Sequence, residues 1–279
     1  MPRRQPRALL LRIRCALGTS SLAGRHNVPC RMADATPFTG AIVYGPVRSR
    51  RLGQSLGLDL VPRRSKLCEF DCPYCDCGFT TLRAPGTRWP SPDEVGQALR
   101  RALERAETAP DWITLSGRGE PTLHPRFAVV VDRVLAARNA HAPGVRVAIL
   151  SNGLSAAVPS VRNALRRLDA RIMKLDPGPV ERVNGATVDL ERIARSYQAL
   201  EPVTVQAMVV RGAGWDGSSD ESIAAWLPLV RLAQPEEVQL STLSRPPADP
   251  QVVNVPRERL QRMATAIMEA LPRAIVRIV

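Results

Sequence analysis

Short apolar runs alternate with longer stretches of helical period along most of this chain, and no other feature narrows its fold as far. Residues 57–61 (GLDLV), 112–115 (WITL), 145–150 (VRVAIL), 171–175 (RIMKL), 203–210 (VTVQAMVV) and 237–243 (EVQLSTL) read as strands, with 274–279 (AIVRIV) as a late seventh. Residues 92–105, 125–138, 159–168, 188–200, 220–232 and 256–270 read as the helices between and after them. The first helix has a local start signal: Ser91 as N-cap, Pro92 in the first turn and Glu94 completing a capping box. Repeated strand–helix units imply parallel pairing through right-handed crossovers, hence an α/β fold. An open or closed α/β barrel and a doubly wound sheet both satisfy the pattern.

In such folds ligands gather at the carboxyl ends of the strands. The residues just past each strand form a coherent set. Cys68, Cys72 and Cys75 follow the first, and Ser116-Gly117-Arg118-Gly119-Glu120-Pro121 follows the second. Ser151-Asn152-Gly153 follows the third, Lys174 and Asp176 end the fourth, and Ser244-Arg245-Pro246-Pro247 comes after the sixth.

Charge is less informative than it first looks. The formal net charge is +13, but residues 1–31 hold seven arginines and no acid, leaving six of those charges for the remainder. That balance permits a nucleic-acid partner without requiring one. Residues 1–35 read as a basic leader, expected to be disordered or loosely attached, and residues 36–279 as one core domain. The leader suits an organelle transit peptide or, preferably, a translation start set too early, since Met32 opens a more ordinary sequence. No apolar run approaches the ~20 residues of a membrane span.

Four of the six cysteines (Cys15, Cys30, Cys68, Cys72, Cys75, Cys77) lie within residues 68–77. Such crowding indicates metal ligation in a reducing compartment, the cytoplasm, not a disulfide framework. Three thiolates at spacings of four and three can converge on one centre from a single loop. A four-iron cubane held by three cysteines keeps one iron open to a small molecule bearing an amine and a carboxylate. Closed zinc sites want four ligands, commonly as two separated pairs. Only one residue separates Cys77 from Cys75, so Cys77 reads as an unligated neighbour.

The string CEFDCPYC resembles the Cys-x3-Cys-x2-Cys signature of the radical S-adenosylmethionine (radical SAM) superfamily, with Tyr74 as the aromatic before the last cysteine. Gly117-Arg118-Gly119-Glu120-Pro121 resembles that superfamily's GGE-type motif, here with Arg118 inserted. The strings GEPTLHP and LSNG are similar as well. A closer resemblance is to a group of short members that carry a YGPVxSRRLGxSLGxDLVP lead-in and a late RPP, matched here by residues 44–62 and 243–247. That group is related to the tRNA wyosine-base synthases and, more distantly, to glycyl-radical activases; the grouping names no reaction. The wyosine-type synthases carry a second cluster on three upstream cysteines. Only Cys15 and Cys30 lie upstream here, so a second cluster is not expected.

The resemblance implies a partial (β/α)6 TIM-type barrel with parallel strands. It implies a [4Fe–4S] cluster on Cys68, Cys72 and Cys75, and S-adenosylmethionine as the second cofactor. Gly117, Gly119, Glu120, Ser151, Asn152, Lys174 and Asp176 are the expected cofactor-binding residues, Glu120 as acceptor for the methionyl ammonium. Several have plainer readings: Ser151 and Asn152 as a turn, Lys174 and Asp176 as an exposed ion pair. The expected reaction is reductive cleavage of S-adenosylmethionine to a 5′-deoxyadenosyl radical, which takes hydrogen from an RNA base or a small metabolite. The electron would come from an external flavodoxin or ferredoxin. Two competitors are a glycyl-radical-enzyme activase and a zinc-stabilised basic nucleic-acid-binding protein. Gln206 and Gln239, polar residues inside apolar strands, either line the barrel near the substrate or pair at a strand edge. Arg48, Arg50 and Arg51 read as a solvated turn in preference to a phosphate-recognising patch for the cofactor's partner or a nucleic acid, and neither His124 nor His141 has a ligand-spaced partner.

Overall fold

A computed structural model describes residues 41–62, 66–80 and 88–279. The expected basic leader, Cys15 and Cys30 lie outside these described residues. In chain order the strands are β1 (Val43–Ser49), β2 (Gly53–Leu58), β3 (Trp112–Leu115), β4 (Arg146–Ser151), β5 (Ala170–Lys174), β6 (Thr204–Met208), β7 (Val210–Gly212), β8 (Trp215–Asp216), β9 (Glu237–Ser241), β10 (Val253–Asn254) and β11 (Ile275–Ile278). The helices are α1 (Pro92–Arg105), α2 (Phe127–His141), α3 (Pro159–Leu165), the one-turn α4 (Val180–Val183), α5 (Leu190–Gln198), α6 (Asp220–Ala233) and α7 (Arg257–Ala270).

The main sheet runs β1-β2-β3-β4-β5-β6-β9-β11, with every neighbour after β2 parallel. Six β/α units followed by β11 make an open, partial barrel of the expected kind. Among the described residues no pairing joins β1 to β11. Helix starts follow local chemistry. Ser91 Oγ accepts from the Glu94 N–H at 3.2 Å, and Glu94 Oε2 accepts from the Ser91 N–H at 2.7 Å, closing the expected capping box on α1.

Two features differ from the sequence pattern. The strand expected at 57–61 begins four residues earlier and ends at Leu58, and it pairs antiparallel with β1. Gly45, Pro46 and Arg48 of this edge strand break the apolar alternation that would have revealed it. The apolar run 203–210 is divided. The Met208 N–H donates to Asp176 Oδ1 at 2.7 Å, and Val210 then pairs with Asn254 in a separate three-stranded sheet, β10-β7-β8.

Alternation along each strand gives the sheet two apolar faces. Met173, Val205 and Ile149 face the helices with Val130, Val134 and Trp226, and burial of each such side chain contributes about 1.5–3 kcal/mol. The inner face is sparser. There Leu52, from the β1–β2 turn, packs with Trp112, Ala148 and Ile172 as a floor. The small sheet joins the cysteine loop through Tyr74, Val183, Val210 and Val252, with Cys72 and Trp215 against them.

Candidate functional site

The cysteine loop leaves the carboxyl end of β2 and is docked by backbone before any side chain acts. The Leu67 carbonyl accepts from the Glu120 N–H at 2.9 Å, forming a bridge to the Gly119 position. Gly119 has to be glycine: a Cβ there would lie 1.9 Å from the Leu67 oxygen. Farther along the loop the Asp71 N–H donates to the Asn184 carbonyl at 2.8 Å.

Two networks then grip the loop. The first centres on Glu120, which is 2% exposed. Its Oε1 accepts from the Thr122 N–H at 2.9 Å, the Thr122 hydroxyl at 2.7 Å and the Ser151 hydroxyl at 2.9 Å. Its Oε2 accepts from the Asn152 N–H at 2.7 Å. The Asn152 amide donates in turn to Glu69 Oε2 at 2.9 Å and to Cys68 Sγ at 3.7 Å. Burial pushes the Glu120 carboxyl up to about 7, helped by the nearby Glu69 and opposed by the hydrogen bonds from Asn152 and Thr122.

The second network centres on Asp176, also buried. Its carboxylate takes the Tyr74 hydroxyl, the Asn184 amide at 2.8 Å, the Lys174 ammonium at 2.8 Å and the Met208 N–H. The Asn184 amide also reaches Cys72 Sγ at 3.5 Å, and the Lys174 ammonium sits 4.9 Å from the Tyr74 ring centre. The Lys174–Asp176 pair is thus withdrawn from water, unlike the exposed pair of the plainer reading.

Cys68, Cys72 and Cys75 are part-buried and unpaired. Burial pushes the Cys68 thiol well up and the Cys72 thiol up to about 11, with Glu120 and Asp176 adding to the respective shifts. Cys75 goes the other way, down to about 7, through a hydrogen bond from Cys77 that outweighs its burial. Lys66 is buried among them. Burial pulls its pKa down, but Cys75, Asp71, Cys68 and Cys72 together push it up further. Three sulfurs from one loop, two of them met by amide donors and all facing a common ammonium, fit an iron–sulfur cluster, whose sulfur ligands take such hydrogen bonds. Cys75, Asp76 and Cys77 also bring ligand atoms within 4.8 Å of one another. However, Asp76 is held by Arg245 at 2.7 Å, and the buried Cys77 thiol faces the Gly117 carbonyl at 3.8 Å.

The inserted Arg118 has a clear role. Its Nε donates to Asp59 Oδ2 at 2.7 Å, tying the glycine turn to the end of β2. Gly117, with φ +144°, lies flat against that same Asp59. All seven expected cofactor-edge residues therefore border the cysteine loop or brace it. Lys66, Glu69, Thr122 and Asn184 belong to the same constellation and were not singled out from the sequence. Lys66 and Glu69 had one signal, adjacency to Cys68. Asn184 had none beyond an Asn-Gly turn. Both ring nitrogens of His124 are used by backbone, on Pro90 and Arg126. Gln206 and Gln239 line the inner face of the barrel. Arg48 and Arg50 are exposed, whereas Arg51 turns inward to Gln206, outside the solvated turn expected of it.

The family model described as the Radical SAM superfamily matches residues 64–223. A UPF0026 protein of Helicobacter pylori is 31% identical over 216 residues, covering 74% of this chain and 67% of its own. A UPF0026 protein of Synechocystis is 33% identical over 214 residues, covering 73% and 76%. Among solved structures, Streptococcus suis SuiB bound to S-adenosylmethionine gives a TM-score of 0.55 at 12% identity, over 77% of this chain and 48% of that one. The structure of anSMEcpe with bound AdoMet gives 0.51 at 13% identity, over 79% and 61%. This chain spans about half the length of SuiB, and likeness at such identity speaks for the fold alone. Among the described residues no helix is long and apolar enough to cross a membrane. With more than half its length matched by that family model, this chain belongs to the radical SAM superfamily, whose members are enzymes that use a [4Fe–4S] cluster and S-adenosylmethionine.

Proposed function

We propose that Cys68, Cys72 and Cys75 hold the cluster, and that Gly117, Gly119, Glu120, Ser151, Asn152, Lys174 and Asp176 form the edge that receives S-adenosylmethionine. When bound, these cofactors supply one-electron cleavage of the sulfonium C5′–S bond, giving methionine and a 5′-deoxyadenosyl radical that takes hydrogen from the substrate. The protein's own work is positional. Asn152 and Asn184 hold two of the sulfurs by hydrogen bonds; Glu69 and Asp176 hold those amides, and Glu120 fixes the Asn152 backbone. The glycines at 117 and 119 let the loop lie against the strand ends. Buried neighbours keep water from the reacting edge. The substrate would be an RNA base or a small metabolite, and the electron would come from a flavodoxin or ferredoxin.

The observation that carries this reading is the pair of networks joining the cysteine loop to the strand ends, Glu120–Asn152–Cys68 and Asp176–Asn184–Cys72. Anaerobic reconstitution of the full chain tests it. About four irons per chain are expected, with broad absorption near ~400 nm. Cys72→Ala should abolish 5′-deoxyadenosine formation under reducing conditions. Uptake of zinc in place of iron, or cleavage that survives Cys72→Ala, would refute it.

A further inference from the structure

Lys174, Gln206 and Gln239 are register partners on β5, β6 and β9, so their side chains emerge on one face as a row. That face is the inner one. Ile172, two residues before Lys174, packs on Leu52, Trp112 and Ala148, while Met173 packs among the helices. Into this row comes Arg51, carried by the β1–β2 turn. With the Gln206 amide oxygen turned towards it, that oxygen accepts from Arg51 Nη2 at 2.7 Å and Nη1 at 3.3 Å.

The set is chemically incomplete. Among the described residues Arg51 Nε is buried without a hydrogen-bond partner, and so is Gln239 Oε1, while the Gln239 amide nitrogen donates to Glu237 Oε1 at 2.9 Å. Gln206 and Gln239 are only 5% and 6% exposed, so bulk water does not serve them. Burial pulls the Arg51 pKa down, and the like charges of Arg50 and Arg245 add to that pull. A guanidinium serving only as a strut between the turn and β6 would be expected to meet a carboxylate or a full set of carbonyls. This one meets a single amide, beside an orphaned acceptor.

We propose that Arg51, held in place by Gln206 and with Gln239 beside it, forms an oxyanion-binding position inside the barrel, which takes a carboxylate or phosphate of the substrate. The proposal rests on the reading of the strand-end site given above. The guanidinium fork matches two oxygens of such a group. Gln239 Oε1 is left to accept from a hydroxyl or amine beside it. Lys174, next along the row, belongs to the cofactor edge, so the anion would anchor the substrate one strand away from where S-adenosylmethionine sits.

The test uses the full chain reconstituted anaerobically. Its melting temperature is followed against sodium phosphate and sodium acetate, with sodium chloride at matched ionic strength as control. At least one oxyanion should raise the melting temperature above chloride, through binding to the folded state. Arg51→Met should weaken that binding by about tenfold or more, and Arg51→Lys should keep part of it. Arg48→Gln, at an exposed position of the same hairpin, should bind like the parent. A response to phosphate alone points to a phosphorylated substrate, and one to acetate alone points to a carboxylic acid. No oxyanion effect in the parent, or an effect untouched by Arg51→Met, overturns the proposal. If Arg51→Met does not fold, Gln206→Leu, which removes the acceptor that holds the guanidinium, replaces it as the deciding variant, and an unchanged response there is equally fatal. Iron content is read on the same samples. Loss of oxyanion binding with full iron separates this proposal from the cluster assignment, and missing iron in the parent counts against that assignment alone.

Discussion

Arg118 and Asp59 form an ion pair at 2.7 Å whose side chains are 10% and 1% exposed. It joins the residue after β2 to the glycine turn after β3, and so fixes the two strand ends that carry the cysteine loop. Removing one partner strands the other charge in a dry environment, at a cost of about 3–5 kcal/mol. Arg118→Met and Asp59→Asn should each lower the urea midpoint strongly. The double variant Asp59→Leu/Arg118→Met should fall by much less than the sum. Additive losses would mean that the two residues do not act as a pair.

Asn184 supplies one amide to both Cys72 and Asp176. Loss of a hydrogen bond behind a metal ligand typically weakens the metal about 10–100-fold. Asn184→Ala should therefore fold, take up iron, and release it to a chelator faster than the parent by a factor in that range. Chelation kinetics at a fixed protein concentration measure this directly.

Gly119 and Gly144 make a matched contrast. A Cβ at 119 would collide with the Leu67 carbonyl, while at 144 it would meet no atom within 4 Å. Gly119→Ala should undock the loop and abolish iron loading. Gly144→Ala should leave loading intact and change stability by no more than about 1 kcal/mol. Iron assay and thermal melting together decide.

His124 gives a pH dependence of defined sign. Burial lowers its pKa, with Arg126 acting in the same direction and the Pro90 carbonyl opposing. Unfolded, it takes a proton near pH ~6.5; folded, it resists until a lower pH. Between those values the unfolded chain binds more protons, so folding stability falls as pH drops from about 6.5. Stability curves for the parent and for His124→Gln should converge on acidification over that window. Parallel curves would show that His124 does not titrate in this way.

Local chemistry was readable along the chain, and long-range chemistry was not. Ser91, Pro92 and Glu94 lie within four residues and announce α1 unaided. Cys68, Cys72 and Cys75 share one loop, and Gly117, Glu120, Ser151 and Asn152 lie just past apolar runs, so all could be placed at one edge. The four donors that close on Glu120 come from two loops whose meeting depends on β3 and β4 pairing in register. Lys66 was not singled out because a buried lysine is intelligible only beside its sulfurs. Arg51 looked like surface for a similar reason: its neighbours Arg48 and Arg50 are exposed, and only the fold of the hairpin turns it inward. The β7–β8–β10 sheet was hidden because its strands are two or three residues long and β10 pairs with β7 across more than forty positions.

Every strand of the main sheet pairs with the strand just before it in the sheet's own chain order, so the barrel can be laid down as the ribosome delivers it. The cysteine loop emerges before β3 and every later strand. Its brace at Cys72 comes from Asn184, 112 residues later. A nascent chain therefore displays all three thiols well before it can hold them in place. On the proposed cluster assignment, cofactor loading would reach full strength only once β5 and α4 have left the ribosome and docked.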